Sequence, residues 1–226
     1  MNQRSNDATH RNLTWHTLQP RERRWLALAQ RPVIVWFTGL SGAGKSSIAN
    51  AVDHALTQAR RHTMVLDGDN LRHGLSSDLG FSAEDRVENI RRAAETARLM
   101  AEAGLVVIVS LISPFRQERE MARGIAGDVP FLEVFIDTPL QVCETRDPKG
   151  LYRRARGGEI SNFTGISAPY EAPDEPDVII QTEGYTVEQS AASLIPKLLQ
   201  SSSFHGLGAP NLHSQRIDFE TALKVA

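Results

Sequence analysis

Residues 33–46 read VIVWFTGLSGAGKS and decide the fold of this chain. The first five residues are apolar without interruption, as in a parallel strand that is buried on both faces. The residues that follow match the pattern G-x-x-x-x-G-K-[ST], in which glycines let backbone N–H groups approach phosphate oxygens closely. A helix expected from about residue 45 to 60 points its positive end at the same anion. A strand, a loop and a helix in this order predict a P-loop that binds a nucleotide.

The residues of this loop have distinct expected tasks. We expect Lys45 to reach the outer phosphates and the Ser46 hydroxyl to ligate Mg2+. The loop is expected to cradle ATP through Gly39, Leu40, Ser41, Gly42, Ala43, Gly44, Lys45, Ser46 and Ser47. The sequence thus indicates transfer of a phosphoryl group from a nucleoside triphosphate to a small acceptor.

The rest of the chain alternates between strand patterns and helical patterns. Strands are predicted at residues 63–66, 105–111, 132–136 and 178–180, and helices at 84–103, 115–126, 139–145 and 187–199. Such alternation is typical of an α/β fold, here a parallel sheet of about five strands flanked by helices on both faces. We assign residues 1–30 to an N-terminal arm with a short helix, 31–200 to the P-loop domain and 201–226 to a tail expected to be flexible.

The helix at 84–103 has the clearest pattern. Ser82 is expected to cap it, Gly104 to end it, and its buried face is predicted to hold Val87, Ile90, Ala94, Ala97 and Ala101. Arg86 and Asn89 lie three residues apart in the opening turns, so their side chains project together. They are either a substrate clamp or a solvated helix edge.

Two carboxylates follow the second predicted strand, in the sequence Asp67-Gly68-Asp69-Asn70. The carboxyl ends of parallel strands face the ligand crevice. Asp67 and Asp69 are therefore candidates to hold Mg2+ and to take the proton of the attacking hydroxyl, and the sequence leaves open which does so. The alternative is a turn stabilised by its own polar side chains.

Residues 146–156 are basic and punctuated by glycine, with Arg146, Lys149, Arg153, Arg154 and Arg156 against a single acid. Such a segment between two strands is typical of a lid that closes over phosphates. A plain solvated helix is the alternative. Across the whole chain only four of the 25 basic residues are lysines. This excess of arginine has a neutral explanation as well, namely a genome rich in G and C.

The composition excludes several classes. A net charge of −2 argues against a nucleic-acid scaffold, and the apolar run from residue 105 is too short to cross a membrane. A single cysteine, Cys143, needs no oxidising compartment, so a cytoplasmic location is expected. The sequence argues against GTP switching, because none of the four lysines stands in an Asn/Thr-Lys-x-Asp base-reading motif.

Several stretches together resemble the adenylyl-sulfate kinases (APS kinases). The resemblance runs from about residue 12 to 199 and rests on residues 14–16, 36–46, 67–72, 78–82, 88–92, 112–114, 146–152, 162–165 and 170–173. Departures are small: Ser47 follows Ser46, and Leu111 stands where the family often has phenylalanine. The tail after residue 200 lies outside the resemblance.

The resemblance implies phosphorylation of the ribose 3′-hydroxyl of adenosine 5′-phosphosulfate (APS) by ATP. It implies that Arg72, Arg86 and Asn89 hold the phosphosulfate and ribose, that Phe81 and Phe163 stack on the acceptor's adenine, and that Lys149 reaches the substrate from the lid. Ile112 and Ser113 would line the same site, and Ser113 corresponds to the serine that such kinases are said to phosphorylate transiently. Direct in-line transfer needs no such intermediate.

The resemblance also implies a homodimer and a possible partnership with a sulfate adenylyltransferase, with no role for nucleic acid or membrane. Two rival interpretations remain at this point. One is another small-molecule P-loop kinase, acting on a nucleotide or a sugar, which the segments around Phe81 and Phe163 disfavour. The other is a regulatory module that binds nucleotide without turnover.

Overall fold

The computed structural model describes residues 14, 16 and 18–203. Within them lie five strands and nine helices. The strands are β1 (Val33–Thr38), β2 (Thr63–Asp67), β3 (Val106–Ser110), β4 (Phe131–Asp137) and β5 (Val178–Gln181). The helices are α1 (Arg21–Ala27), α2 (Lys45–Gln58), α3 (Gly68–Arg72), α4 (Ala83–Glu102), α5 (Arg116–Ala126), α6 (Leu140–Arg146), α7 (Leu151–Arg156), α8 (Val187–Ala192) and α9 (Ile195–Ser201).

The strands form one parallel sheet in the order β2-β3-β1-β4-β5, which confirms the predicted fold class. All six residues of the central strand β1 are buried, because helices cover both faces of the sheet. Val33, Val35 and Phe37 belong to one apolar cluster, and Ile34 and Trp36 belong to the other. This alternation follows from the two-residue period of a strand.

The strand register brings the polar strand ends level with the P-loop. Asp67 at the end of β2 pairs with Ser110 at the end of β3, and Ser110 also pairs with Phe37, next to the last residue of β1. The P-loop therefore starts at the same edge of the sheet as the predicted carboxylates. This edge is where open α/β sheets bind their ligands.

Helix α4 largely follows the prediction. The Ser82 hydroxyl accepts a hydrogen bond from the backbone N–H of Asp85 at 3.1 Å, as a capping residue should. Ile90, Ala94, Ala97 and Ala101 are buried as predicted, together with Ala93. The prediction for Val87 is wrong: this side chain is exposed, because it precedes Asn89, the first buried residue of the helix.

Three further local features differ from the sequence prediction. The helix predicted at 187–199 is two helices, α8 and α9, because Pro196 lies in the first turn of α9 and lacks the N–H that a continuous helix needs. Helix α3 was not predicted; the Asp67 carboxylate caps it by accepting from the backbone N–H of Asp69 at 3.0 Å. Helix α7 occupies part of the predicted lid and buries Tyr152.

At the chain ends, the predicted short N-terminal helix is α1, and it packs near Gly104 through Trp25 and Leu28. Residues 1–13, 15 and 17 of the arm at 1–30 lie outside the described residues, as does the tail from residue 204. Trp15 of the 14–16 lead-in is one of these residues. In the part of the chain that is described, no helix is both long and apolar enough to cross a membrane.

Candidate active site

The P-loop connects β1 to α2 in a conformation that requires glycine. Gly42 and Gly44 have φ angles of 73° and 107°, in the left-handed region. At Gly39, with φ 148°, an added Cβ would lie 2.7 Å from the carbonyl oxygen of Ile136. Helix α2 begins at Lys45 with Gly44 as its N-cap, and no described side chain caps it. Its first N–H groups are thus left to bind an anion.

Lys45 folds back onto its own loop. Its Nζ donates hydrogen bonds to the carbonyl oxygens of Gly39 at 2.9 Å and Leu40 at 2.7 Å. Burial lowers the pKa of Lys45 to about 8, because taking the ammonium out of water disfavours its charged form. The loop therefore holds a buried ammonium whose charged form a bound phosphate would favour.

Ser46 and Asp67 form a pair of oxygen donors beside the loop. The Ser46 hydroxyl donates to Asp67 Oδ2 at 2.6 Å and lies 3.3 Å from the Ser110 hydroxyl. A carboxylate and a hydroxyl are oxygen ligands of the kind that Mg2+ prefers. The strand register explains the pairing, because Asp67 and Ser110 lie side by side at the strand ends.

Lys149 and Asp69 join the predicted lid to helix α3. The Lys149 ammonium forms an ion pair with Asp69 Oδ2, across 80 residues of sequence. Tyr152 in α7 ties the same segment to the P-loop, because its hydroxyl donates to the carbonyl oxygen of Ser41 at 2.9 Å. The segment at 146–156 thus contacts both helix α3 and the P-loop.

A second group of predicted residues surrounds the start of α4. The Arg72 guanidinium lies 4.5 Å from the ring centre of Phe81, and Arg86 Nε donates to the carbonyl oxygen of Phe81 at 3.1 Å. Arg86 Nη2 also donates to the carbonyl oxygen of Asn162 at 2.8 Å. Burial, and secondly the nearby charge of Arg86, lower the pKa of Arg72. Two guanidinium groups in one place make this a positive site, suited to an anionic acceptor.

Asn89 is only 3% exposed, so it is no solvated helix edge. Its Oδ1 is buried and has no hydrogen-bond partner within the described chain. Buried polar atoms are rarely left without a partner, and a bound ligand is one way of supplying it. Of the two interpretations of the Arg86 and Asn89 pair, this geometry favours a substrate clamp.

The two predicted stacking rings differ in their surroundings. Phe81 is 70% exposed and presents a free face, whereas Phe163 is 8% exposed and belongs to the main apolar cluster. Phe163 contacts Tyr152 edge to face, with 5.0 Å between ring centres. Phe81 is available to a ligand in this conformation, and Phe163 is held by the core.

Ile112 and Ser113 form the loop between β3 and α5. The Ile112 carbonyl oxygen accepts from the Thr38 hydroxyl at 2.8 Å, which fixes this loop to the end of β1. Ser113 is 2% exposed, and its Oγ accepts from Trp36 Nε1 at 3.1 Å. Its φ of 37° is unusual for a residue with a side chain, so the surrounding contacts must hold it there.

Residues 31–181 match the family model described as adenylylsulphate kinase. The chain belongs to the adenylylsulphate kinase family. The adenylyl-sulfate kinase of Aeromonas hydrophila is 52% identical over 189 residues, which are 83% of this chain and 94% of that relative. The solved structure of the Mycobacterium tuberculosis APS kinase CysC in complex with AMPPNP and APS is 51% identical. It superposes with a TM-score of 0.73 over 76% of this chain and 99% of that one.

A longer relative is similar to this adenylylsulphate kinase domain. The bifunctional enzyme NodQ of Rhizobium sp. (strain N33) is 56% identical over 184 residues, or 81% of this chain. The chain spans 28% of the length of that relative.

Sequence reasoning missed several side chains that hold this kinase site together. Thr38 and Tyr170 contact each other through their hydroxyls at 2.9 Å. Arg146, predicted only as part of a basic lid, donates to the Thr182 hydroxyl at 3.0 Å and lies 3.3 Å from the Ala43 carbonyl oxygen. Arg119 is buried beneath the Ser113 loop. The contacts of Thr38 and Arg146 join residues far apart in sequence, and the burial of Arg119 depends on packing, so no local pattern indicates them.

Proposed function

We propose that this chain transfers the γ-phosphoryl group of ATP to the 3′-hydroxyl of APS, giving 3′-phosphoadenosine 5′-phosphosulfate and ADP. The observation that carries this proposal is the likeness to the Mycobacterium tuberculosis APS kinase, which was solved with AMPPNP and APS and is 51% identical. The site geometry supports it, since a P-loop and a cluster of arginines with an exposed ring lie on the same side of the sheet.

On the donor side, the P-loop backbone from Gly39 to Ser47 holds the ATP phosphates. Lys45 leaves its loop carbonyls and moves onto the outer phosphates, where its charge balances the charge on the transferred group. Ser46 and Asp67 are the residues that would hold Mg2+, because their oxygens already lie together. The ion would supply charge neutralisation at the β- and γ-phosphates.

On the acceptor side, Arg72 and Arg86 hold the phosphosulfate. Asn89 Oδ1 accepts a hydrogen bond from the ribose or from an adjacent group of APS. Phe81 stacks on the adenine with its exposed face. Phe163 supports this wall from the core, and Ile112, Ser113 and Lys149 complete it. Residues 146–165 act as the lid, with Lys149 exchanging its partner Asp69 for the substrate.

Asp69 is the better candidate for the base that takes the 3′-hydroxyl proton. Both Asp67 oxygens are engaged, one by Ser46 and the other by the backbone of Asp69. The Asp69 carboxylate instead contacts Lys149, which the substrate would displace. We expect Asp69→Asn to lower kcat at any Mg2+ concentration and Asp67→Asn to raise the Mg2+ requirement. The reverse pattern in a Mg2+ titration would exchange the two roles.

We propose that transfer is direct and that Ser113 shapes the acceptor wall without being phosphorylated. Its Oγ is buried and already accepts from Trp36. Ser113→Ala should therefore retain transfer. Phosphoserine at position 113 during a single turnover, detected by mass spectrometry, would establish a covalent route instead.

An assay of ADP release tests the proposed activity. Release from ATP should be fast with APS and slow without it, and AMP should not replace APS. Unchanged release, with both nucleotides bound, would indicate a regulatory module.

The assembly proposed from the family resemblance is a homodimer, with possible docking to a sulfate adenylyltransferase and a cytoplasmic location. A hexameric APS kinase from Thiobacillus denitrificans, 29% identical over 78% of this chain, provides the alternative. Light scattering on the purified chain of 25.0 kDa distinguishes a particle of twice this mass from one of six times.

A further inference from the structure

Arg119 in α5 is an arginine with an unusual position. It is only 3% exposed, although the sequence around it, RQEREMAR, is typical of a solvated helix. A buried guanidinium needs a partner for its charge and for its N–H groups, because an unpaired charge is costly to remove from water. Its three nitrogens accordingly contact three different segments of the chain.

The first contact supplies the counter-charge. Arg119 Nε donates to Glu133 Oε1 in β4 at 2.7 Å, and the Glu133 side chain is itself largely buried. β4 lies beside β1 in the centre of the sheet, so this ion pair anchors the guanidinium to a rigid element.

The other two contacts go to loops. Arg119 Nη1 donates to the carbonyl oxygen of Ser113 at 2.8 Å, and Nη2 donates to the carbonyl oxygen of Glu171 at 2.8 Å. The planar guanidinium therefore sets the distance between the loop after β3 and the segment after Phe163.

These two loops also contact each other directly. The backbone N–H of Glu171 donates to the Pro114 carbonyl oxygen at 2.8 Å, and the Glu171 carboxylate accepts from the backbone N–H of Arg116 at 2.9 Å. The segment at 170–171 also contacts the end of β1, just before the P-loop, because the Tyr170 hydroxyl lies 2.9 Å from that of Thr38. A groove beside the P-loop is lined by Leu40 and residues 165–170.

We propose that Arg119 is a positioning residue for phosphoryl transfer, which clamps the Ser113 loop to the Glu171 segment and so fixes the acceptor side of the site. This inference rests on the proposed function. Arg119 acts through the two backbone carbonyls it holds. The left-handed backbone of Ser113 is the conformation that this clamp maintains, together with the Trp36 and Thr38 contacts.

The test must separate positioning from folding. Removing Arg119 alone leaves Glu133 buried with a weakened partner, and this destabilises the protein for reasons unrelated to catalysis. The double variant Arg119→Met with Glu133→Leu removes both charges, and buried pairs replaced by apolar groups often keep their stability. Arg119→Lys keeps the charge beside Glu133 but lacks the planar fork.

Arg123 provides the matched control, since it lies one turn further along α5. It also approaches Glu133, at 3.7 Å, and it pairs with Asp177 at 2.9 Å. Its remaining hydrogen bond in the described chain goes to the Phe131 carbonyl oxygen, not to Ser113 or Glu171. Arg123→Met thus disturbs the same ion network and spares the clamp.

The experiment compares the unaltered chain with the double variant, Arg119→Lys and Arg123→Met. For each protein it measures steady-state kinetics, equilibrium binding of ATP and APS, and the thermal midpoint of unfolding. We expect the double variant and Arg119→Lys to keep ATP affinity and to lose about 100-fold in kcat/KM for APS, since a misplaced acceptor wall costs about that much. Arg123→Met should keep kcat/KM within about 2-fold.

Each outcome bears on the inference. An equal loss in Arg123→Met, or normal kcat/KM in the folded double variant, would overturn it; if the double variant does not fold, Arg119→Lys decides by the same criterion. Absence of turnover by the unaltered chain would instead refute the proposed function. In that case APS binding, weakened in the Arg119 variants and not in Arg123→Met, still tests the clamp.

Discussion

At the scale of single residues, burial sets the behaviour of the site more than residue type does. Lys45 and Lys149 carry the same ammonium, yet Lys45 lies beneath the P-loop and Lys149 is exposed. Asn89 and Arg119 have residue types common on surfaces and are both almost fully buried. Such side chains are costly to bury unless each polar atom has a partner, which the fold supplies for Arg119 and a bound ligand would supply for Asn89 Oδ1.

The lowered pKa of Lys45 gives ATP binding a defined pH dependence. Burial holds this pKa at about 8 in the free protein, and a phosphate beside the amine favours its charged form. Above this pKa, binding must take up a proton, so ATP affinity should fall as the pH rises through about 8. Calorimetry in two buffers of different ionisation enthalpy measures that uptake.

Lys45→Arg is the control for this titration, since a guanidinium stays charged throughout the range. We expect the variant to bind ATP with little pH dependence between about pH 7.5 and 9.5. The same slope in both proteins would mean that another group titrates.

Truncation of the two phenylalanines of the acceptor wall should affect different properties, namely stability for Phe163 and APS binding for Phe81. Phe163→Ala should lower the free energy of unfolding by about 3 kcal/mol, because the ring is buried against Tyr152. Phe81→Ala should change it by less than about 0.5 kcal/mol and weaken APS binding, with ATP affinity preserved. Urea unfolding and binding titrations measure both; equal loss of ATP and APS affinity in Phe81→Ala would refute its stacking role.

At the scale of elements, strand ends and helix starts place the site. Asp67 both ends β2 and caps α3, and Ser82 caps α4 just before Arg86 and Asn89. The caps therefore fix where α3 and α4 start, and so the positions of the functional side chains in their first turns. The P-loop and the helix at α4 were predictable because their signals are local: a glycine pattern, a cap and an apolar period.

Removing the Ser82 cap tests the link between helix start and acceptor site. Ser82→Ala should lower stability by about 1 kcal/mol, and the loosened first turn should raise the KM for APS. Thr186→Ala is the control, since Thr186 caps α8 by accepting from the Gln189 N–H at 3.2 Å. It should lose similar stability and leave the KM unchanged. The same KM for APS in Ser82→Ala and Thr186→Ala would show that the Ser82 cap does not position the acceptor site.

The features that the sequence could not predict depend on distant contacts. Arg119 meets Glu171 across 52 residues, and Tyr170 meets Thr38 across 132. Phe163 and Phe81 have the same residue type, so only the packed structure distinguishes the core ring from the exposed one. Pro196 is a local signal for the break between α8 and α9. The helical period of the apolar residues continues on both sides of it, which is why one helix was predicted.

At the scale of the whole molecule, the sheet order brings the parts of the site together. β1 lies at the centre, with β3 and β2 on one side and β4 and β5 on the other. The loops that follow β1, β2 and β3 supply the P-loop, the carboxylates and the Ser113 wall. The family model spans residues 31–181 and so includes all of these loops, the 146–165 segment and α4.

The central claim is the identity of the acceptor and of the hydroxyl that is phosphorylated. The measurement is mass spectrometry with ³¹P NMR on the products formed from ATP, Mg2+ and an equimolar mixture of APS, AMP and gluconate. We predict a single new product, APS carrying a phosphate on its 3′-hydroxyl, formed together with ADP. Phosphorylated AMP or gluconate as the main product, or a phosphate at another position of APS, would contradict the account.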